Sequence, residues 1–148
     1  MIIGIDPGIT GGVAVLDDGL SIIQELFDLP VLTVGKKKQI NPYALATRLA
    51  PYRGVAARLE LVSAMPGQGV SSMFNFGTSF GLCYGVLAAL GCQVIMVTPQ
   101  VWKRRAGLIG KPKDQSRTVA QRLFPAADLT FKKDIGRADA LLIAKFGG

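Results

Sequence analysis

Three of the ten acidic residues stand where a carboxylate is out of place. Asp6 ends the apolar run Ile2-Ile3-Gly4-Ile5, Glu60 lies inside Arg58-Leu59-Glu60-Leu61-Val62, and Asp139 interrupts Ala138-Asp139-Ala140-Leu141-Leu142-Ile143-Ala144. A buried carboxylate must protonate, find a partner or bind a cation, because desolvating its charge is costly. For any one of them alone, an arginine partner or a helix cap is the plain alternative. Three that converge at one sheet edge would form an all-oxygen site, which suits Mg²⁺ or Mn²⁺. Two such ions about 4 Å apart activate a water and stabilise the leaving oxygen of a phosphodiester. Asp134 lies one and a half turns before Asp139 and is a fourth candidate. The other acids have ordinary settings: Asp17 and Asp18 in a turn, Glu25 and Asp28 at a strand end, Asp114 as a helix cap and Asp128 in a loop.

The chain of 148 residues contains no histidine, which excludes Ser/His/Asp and Cys/His catalysis and any His-ligated zinc site. Cys83 and Cys92 are too few for a disulfide framework and are expected as packing residues in a reducing compartment. An apolar content of 49% excludes intrinsic disorder. Net charge is +7, and ten of the seventeen Lys and Arg residues fall between Lys103 and Arg137, against three acids. Lys103-Arg104-Arg105, Lys111-Pro112-Lys113, Arg117 and Lys132-Lys133 make this a one-signed segment flanking the proposed acidic cluster. That pattern fits a polyanion whose phosphate must reach bound cations. Lys36-Lys37-Lys38 reads as a solvated loop, and Trp102 as a core residue or a base-stacking one.

The elements that must position these residues follow from local pattern. Strands are expected over 1–6, 12–16 and 20–27, joined by Pro7-Gly8 and by Asp17-Asp18-Gly19 in an antiparallel meander. Asn41-Pro42 starts a helix reaching about Tyr52. A fourth strand covers 58–62, a long helix runs from about Ser71 to Leu90 and stops at Gly91, and a fifth strand covers 92–97. Thr98-Pro99 is a further helix start, and helices follow near 114–123 and from about Gly136. The order βββ-α-β-α-β-α-α predicts one α/β domain over 1–148: a mixed five-stranded sheet, three strands antiparallel and then parallel ones, with helices on both faces.

From Leu61 to Trp102 no residue is charged, and Gly77, Gly81 and Gly85 recur at the spacing of membrane helix pairs. Ser71, Ser72, Asn75, Thr78 and Ser79 oppose a membrane span, so a closely packed helix outside the membrane is expected. The opening Met1-Ile2-Ile3-Gly4 lacks the basic start of a secretory signal.

Gly4-Ile5-Asp6-Pro7-Gly8-Ile9-Thr10-Gly11-Gly12-Val13-Ala14-Val15 resembles the opening of RuvC-type Holliday junction resolvases, which have the ribonuclease H-like fold. The resemblance continues through Glu60 in its strand, Gly77-Thr78-Ser79-Phe80-Gly81, Val97-Thr98-Pro99-Gln100-Val101-Trp102-Lys103 and Ala138-Asp139-Ala140-Leu141. It spans nearly the whole chain. Met65-Pro66-Gly67-Gln68-Gly69-Val70 is more similar to phage or prophage relatives. The resemblance implies a Mg²⁺-dependent endonuclease, with Mn²⁺ able to substitute and two ions per site. It would act as a homodimer in the cytoplasm of a bacterium or phage-infected host, making paired nicks in four-way DNA.

It also implies that Asp6, Glu60 and Asp139 are metal ligands and that Lys103 lies near the reacting phosphate; Lys113 or Arg117 matches a second family lysine. Better-known members carry the fourth acid three residues before the last, where this chain has Gly136. Asp134 would point roughly 140° away on a regular helix, so it serves only if the helix begins after it and the chain bends back. Where some members place an aromatic wedge after the strand-four Glu, this chain has Ser63. Met73, Phe74 and Phe76 are substitute wedges, or helix core.

Other readings make different predictions. Sugar kinases and actin-like ATPases share the Asp-x-Gly-x-Thr opening but need two such domains. A ribonuclease H-like nuclease of ribosomal RNA precursors would share the acids without the junction preference. A non-catalytic junction-binding module would keep the basic face and lose the metal site.

Overall fold

The computed structural model describes residues 1–148. Seven strands and five helices alternate along the chain: β1 (Ile2–Asp6), β2 (Gly12–Leu16), β3 (Ile23–Asp28), β4 (Val31–Val34), β5 (Lys37–Ile40), α1 (Pro42–Leu49), β6 (Ala56–Glu60), α2 (Val70–Ala89), β7 (Val94–Val97), α3 (Pro99–Arg105), α4 (Gln115–Leu123) and α5 (Ile135–Phe146). Short 3₁₀ turns cover Ala50–Tyr52 and Lys132–Asp134. The main sheet has the order β3-β2-β1-β6-β7. β1 is antiparallel to β2 and β2 to β3, whereas β1–β6 and β6–β7 are parallel. This is the mixed sheet expected from the order of elements.

Alternation in β1 and β2 divides the interior in two. Ile3, Ile5, Val13 and Val15 pack with Leu45, Leu49, Cys83 and Leu87 of α1 and α2 on one face. Ile2, Ala14 and Leu16 pack with Trp102, Ala120, Leu141 and Leu142 of α3, α4 and α5 on the other. Both faces of the central strands are therefore covered, which is why they read as unbroken apolar runs.

Several boundaries differ from expectation for local reasons. The third strand begins at Ile23, because the Asp17 carboxylate accepts hydrogen bonds from the Ser21 and Ile22 amides, each at 2.8 Å. Leu20 is thereby held in the turn with φ 54°. The fourth strand lies two residues earlier than expected, at Ala56–Glu60, so Glu60 is its last residue. Lys36 lies in the turn as expected, but Lys37 and Lys38 do not: Gly35 at φ 62° turns β4 back onto β5 in a hairpin, with Val34 opposite Lys37. Asn41 caps α1 as expected, its Oδ1 accepting from the Ala44 amide at 3.1 Å.

The position of α5 depends on a missing side chain. A Cβ on Gly4 would lie 2.4 Å from the Ala140 carbonyl oxygen and 2.6 Å from the Ala144 Cβ. The helix therefore rests directly on the backbone of β1, which brings Asp139 to the strand that ends in Asp6. No helix is long and apolar enough to cross a membrane.

Candidate active site

Asp6 and Glu60 occupy equivalent positions on neighbouring parallel strands, each one residue beyond the paired Ile5 and Leu59. Ile5 and Leu59 face α1 and α2, so the next residue on each strand turns to the α5 side. Ligand sites of open α/β sheets form beyond the carboxyl ends of parallel strands. Here Asp6, Glu60 and Asp139 line one cleft of about 890 Å³ with Lys103 and Lys113. Its opposite wall carries Ser71, Ser72, Asn75 and Ser79 of α2.

The three carboxylates are electrostatically strained. Burial raises the Asp6 pKa, although the Gly8 amide, 3.4 Å from Oδ1, and Lys113 and Lys103 oppose it. Glu60 is pushed up to about 7 by burial and then by the charge of Asp6, against a hydrogen bond from Trp102. Asp139 is pushed up to about 7 by burial, with Asp6 adding to the shift while Ser116, Lys103 and Lys113 counter it. Asp139 Oδ1 is buried without a hydrogen-bond partner.

As placed, no three Cys, Asp or Glu side chains form a group tight enough to hold a metal ion. Joint ligation therefore requires side-chain rotation within the cleft. The donor set nonetheless fits a hard divalent cation: carboxylate oxygens only, one of them buried and unpartnered, with mutual repulsion that a cation relieves.

These shifts set a pH dependence. An acid whose pKa is raised on folding stabilises the fold at low pH and loses that contribution as pH climbs from its unfolded value through its folded one. For Glu60 the window runs from 4.5 to about 7, and for Asp139 from 3.8 to about 7. With no histidine in the chain, no other side-chain type ordinarily titrates there. In EDTA the melting temperature should fall by about 10–20 °C between pH 5 and pH 8, corresponding to about 5 kcal/mol for the two acids together. Calorimetry across that range checks it, and a flat profile contradicts the burial of these acids.

Asp134 does not join the cluster. The helix does begin just after it, as the fourth-ligand reading requires, but its side chain faces the preceding turn. Its Oδ2 accepts from the Phe131 amide at 2.8 Å, its Oδ1 pairs with Arg137, and its pKa is lowered by those bonds against the opposing effect of burial. Arg137 in turn reaches Asp28 at 3.2 Å. Asp134 thus caps the 3₁₀ turn in this structure and does not line the cleft shared by Asp6, Glu60 and Asp139. Gly136 cannot be replaced in that role either: a Cβ there would lie 2.2 Å from the Thr10 carbonyl oxygen and 2.8 Å from Gly11.

The cations also separate. Lys103 and Lys113 face the carboxylates, and Lys111 lines an adjoining small cavity with Lys113. Arg117 does not face them. Its Nε and Nη2 bind Asp114 at 2.9 and 3.1 Å, and its Nη1 binds the Leu129 and Thr130 carbonyls at 3.0 and 2.6 Å, so it ties α4 to the following loop. Of the two residues matched to the second family lysine, Lys113 is therefore the one in the cleft. Arg105 donates to the Phe146 carbonyl at 3.0 Å, capping α5, while Arg104, Lys132 and Lys133 are exposed. Lys133 lies 5.6 Å from the Phe131 ring centroid.

Trp102 has a role that sequence reading missed. It is 1% exposed and its indole N–H donates to Glu60 Oε2 at 2.6 Å, while Lys103 Nζ lies 5.4 Å from its ring centroid. The available signal was the rule that a buried tryptophan needs an acceptor. Nor do Met73, Phe74 and Phe76 form helix core: they are 37%, 74% and 44% exposed. The buried residues of α2 begin only at Ser79, so its first half extends beyond the sheet.

No family model matches the chain. It is 37% identical over 122 residues, 77% of its length, to the chloroplastic Holliday junction resolvase MOC1 of Chlamydomonas reinhardtii, and it spans 14% of that relative's length. Its structure superposes on RuvC of T. thermophilus in complex with a Holliday junction substrate, with TM-score 0.70 and 20% identity, covering 97% of this chain and 89% of that one. A second Thermus thermophilus RuvC structure gives TM-score 0.60 and 18% identity, covering 97% and 90%. Sequence motifs, sheet order and these similarities agree: the chain is a relative of RuvC-type Holliday junction resolvases and has the ribonuclease H-like fold.

Proposed function

We propose that the chain is a metal-dependent endodeoxyribonuclease that resolves four-way or otherwise branched DNA by paired nicks. The observation that carries this reading is the convergence of Asp6, Glu60 and Asp139, from three separate elements, on one cleft bordered by Lys103 and Lys113. Asp6 is the shared member, since its charge raises both Glu60 and Asp139, so the three carboxylates would hold divalent cations together. Mg²⁺ or Mn²⁺ held by Asp6, Glu60 and Asp139 would supply Lewis-acid activation of water and charge neutralisation at the leaving oxygen, chemistry that yields 5′-phosphate and 3′-hydroxyl ends. Lys103 and Lys113 neutralise the scissile phosphate and the charge that develops on it. Arg104, Lys111, Lys132 and Lys133 extend the basic surface along the DNA backbone, where contacts follow shape more than sequence. Met73, Phe74 or Phe76, all exposed on the first half of α2, serves as the wedge at the branch point.

Paired nicks require two active sites, and α2 carries the face for a second copy. Met73, Gly77, Gly81 and Tyr84 fall on one side of it, and a Cβ at Gly77, Gly81 or Gly85 would meet nothing within 4 Å. Each interior glycine costs a helix about 1 kcal/mol relative to alanine. No contact within the chain offsets that cost, whereas the close approach of another α2 would. Buried, unpaired Cys83 and Cys92 suit a reducing cytoplasm.

Trp102→Phe keeps the ring and removes the donor that orients Glu60. Calorimetric titration with Mn²⁺ should show affinity lowered at least about tenfold, as for other groups that hold a metal ligand in place. Unchanged affinity would make Trp102 a packing residue only. The reading as a whole is tested by incubating a synthetic four-way junction, a linear duplex and an RNA–DNA hybrid with the protein, with and without Mg²⁺. Symmetrical Mg²⁺-dependent nicks in the junction alone are expected. Cleavage of structured RNA instead would favour the ribosomal-precursor reading, and tight junction binding without nicking would favour a binding module.

A further inference from the structure

The β4–β5 hairpin carries three consecutive lysines, Lys36, Lys37 and Lys38, and none of the five ion pairs in the molecule involves them. Lysines on an edge strand ordinarily extend into water and block edge-to-edge pairing. Here Lys37 reaches back across the gap to α2, its Nζ donating to Ser71 Oγ at 3.2 Å. Lys37, Lys38 and Gln39 on the hairpin side face Phe74, Asn75 and Thr78 on the helix side, around a groove of about 190 Å³. No acidic residue lines it. Ile9, Asn75 and Ser79 border both this groove and the cleft that holds Asp6, Glu60 and Asp139, so the two are continuous. The helix side is uncharged, so the lysines set the local potential.

A polar, cationic channel that opens from the carboxylate cleft on the side away from α3 and α4 has the chemistry of a backbone track. Lysines supply the positive charge, and the amides of Asn75 and Gln39 and the Thr78 hydroxyl supply neutral hydrogen-bonding groups. We infer that the groove between the β4–β5 hairpin and the first half of α2 is a second DNA-binding subsite, in which Lys37 and Lys38 hold backbone phosphates of the strand leaving the catalytic cleft. This rests on the nuclease reading of the cleft, but adds a contact face to it. The segment 103–137 then grips DNA on one side of the cleft and the hairpin on the other, so the strand is clamped across Asp6.

The test uses the full chain in two forms. In the first, Lys37→Gln and Lys38→Gln are combined; both positions are exposed, and the melting temperature checks the fold. Affinity for a fluorescent four-way junction, measured in Mg²⁺-free buffer from about 50 to 200 mM salt, should fall roughly tenfold, with a log–log slope shallower by about 1 to 2. In the second, Gln39→Cys is derivatised with a photo-crosslinker. The native cysteines are buried, and burial pushes the Cys83 thiol up to about 12, so the label goes to position 39. Crosslinks are expected on the nicked strand within a few nucleotides of the cut.

If the double variant keeps both affinity and slope, or the label reaches no DNA, the subsite proposal is overturned while nicking by the unaltered chain leaves the nuclease reading standing. If the unaltered chain neither binds nor nicks junctions, the nuclease reading falls and the subsite with it.

Discussion

Asp139→Asn should abolish DNA cleavage, by at least about a thousandfold, while making the metal-free protein more stable at pH 7.5. The two effects share one cause. Asp139 is held among apolar residues with an unpartnered Oδ1 and within reach of the Asp6 charge. A neutral amide removes a buried charge that the metal-free fold must otherwise tolerate. It also removes an anionic ligand, and a ligand worth several kcal/mol of transition-state stabilisation is worth at least three orders of magnitude in rate. Junction binding should persist, because the lysines proposed to contact phosphate are untouched. Nicking rates, melting curves and junction affinity on the same preparation decide it. If Asp139→Asn instead unfolds the protein, the residue is structural and the site collapses to two acids. Asp6→Asn should likewise lose cleavage and retain binding.

Gly136→Asp should strongly destabilise the fold, because Gly136 is buried where α5 meets the turn after β1. It would install an acid three residues before Asp139, where better-known family members carry their fourth carboxylate, and sequence alone recommends it as a repair. The geometry forbids it. The first turn of α5 packs on the Thr10-Gly11 turn so closely that a Cβ meets backbone at 2.2 Å. Backbone cannot swing aside as a side chain can, so either α5 lifts from the sheet or the turn after Asp6 shifts. Overpacking of this kind costs about 3 kcal/mol or more, and both remedies displace one of the three cleft carboxylates. Denaturant unfolding should show the loss, and cleavage should fall rather than rise. An active and stable Gly136→Asp protein would show that α5 sits further from the turn.

Much of this was legible before any coordinates. Unbroken apolar runs marked the central strands, Asn41-Pro42 and Gly91 marked helix ends, and the three out-of-place acids marked the cleft. What was not legible depended on contacts across the chain. Nothing local distinguishes Asp134 as a cap from Asp134 as a ligand; the distinction lies in Arg137 and the Phe131 amide, which the 3₁₀ turn brings to it. Arg117 and Lys113 differ only in that Arg117 has Asp114 and two carbonyls within reach. The lysine hairpin was hidden because β4 and β5 pair only with each other, apart from the main sheet, and carry little apolar alternation. Met73, Phe74 and Phe76 read as helix core until the sheet is seen to end short of the first half of α2.

Asp6, Glu60 and Asp139 are proposed to hold divalent cations together. A crystal soaked in Mn²⁺ and measured at the manganese absorption edge tests it in one map. An anomalous peak in the cleft, with carboxylate oxygens of all three residues around it, is the expected result. A cleft without anomalous signal, or a peak at Asp134 instead, would contradict it.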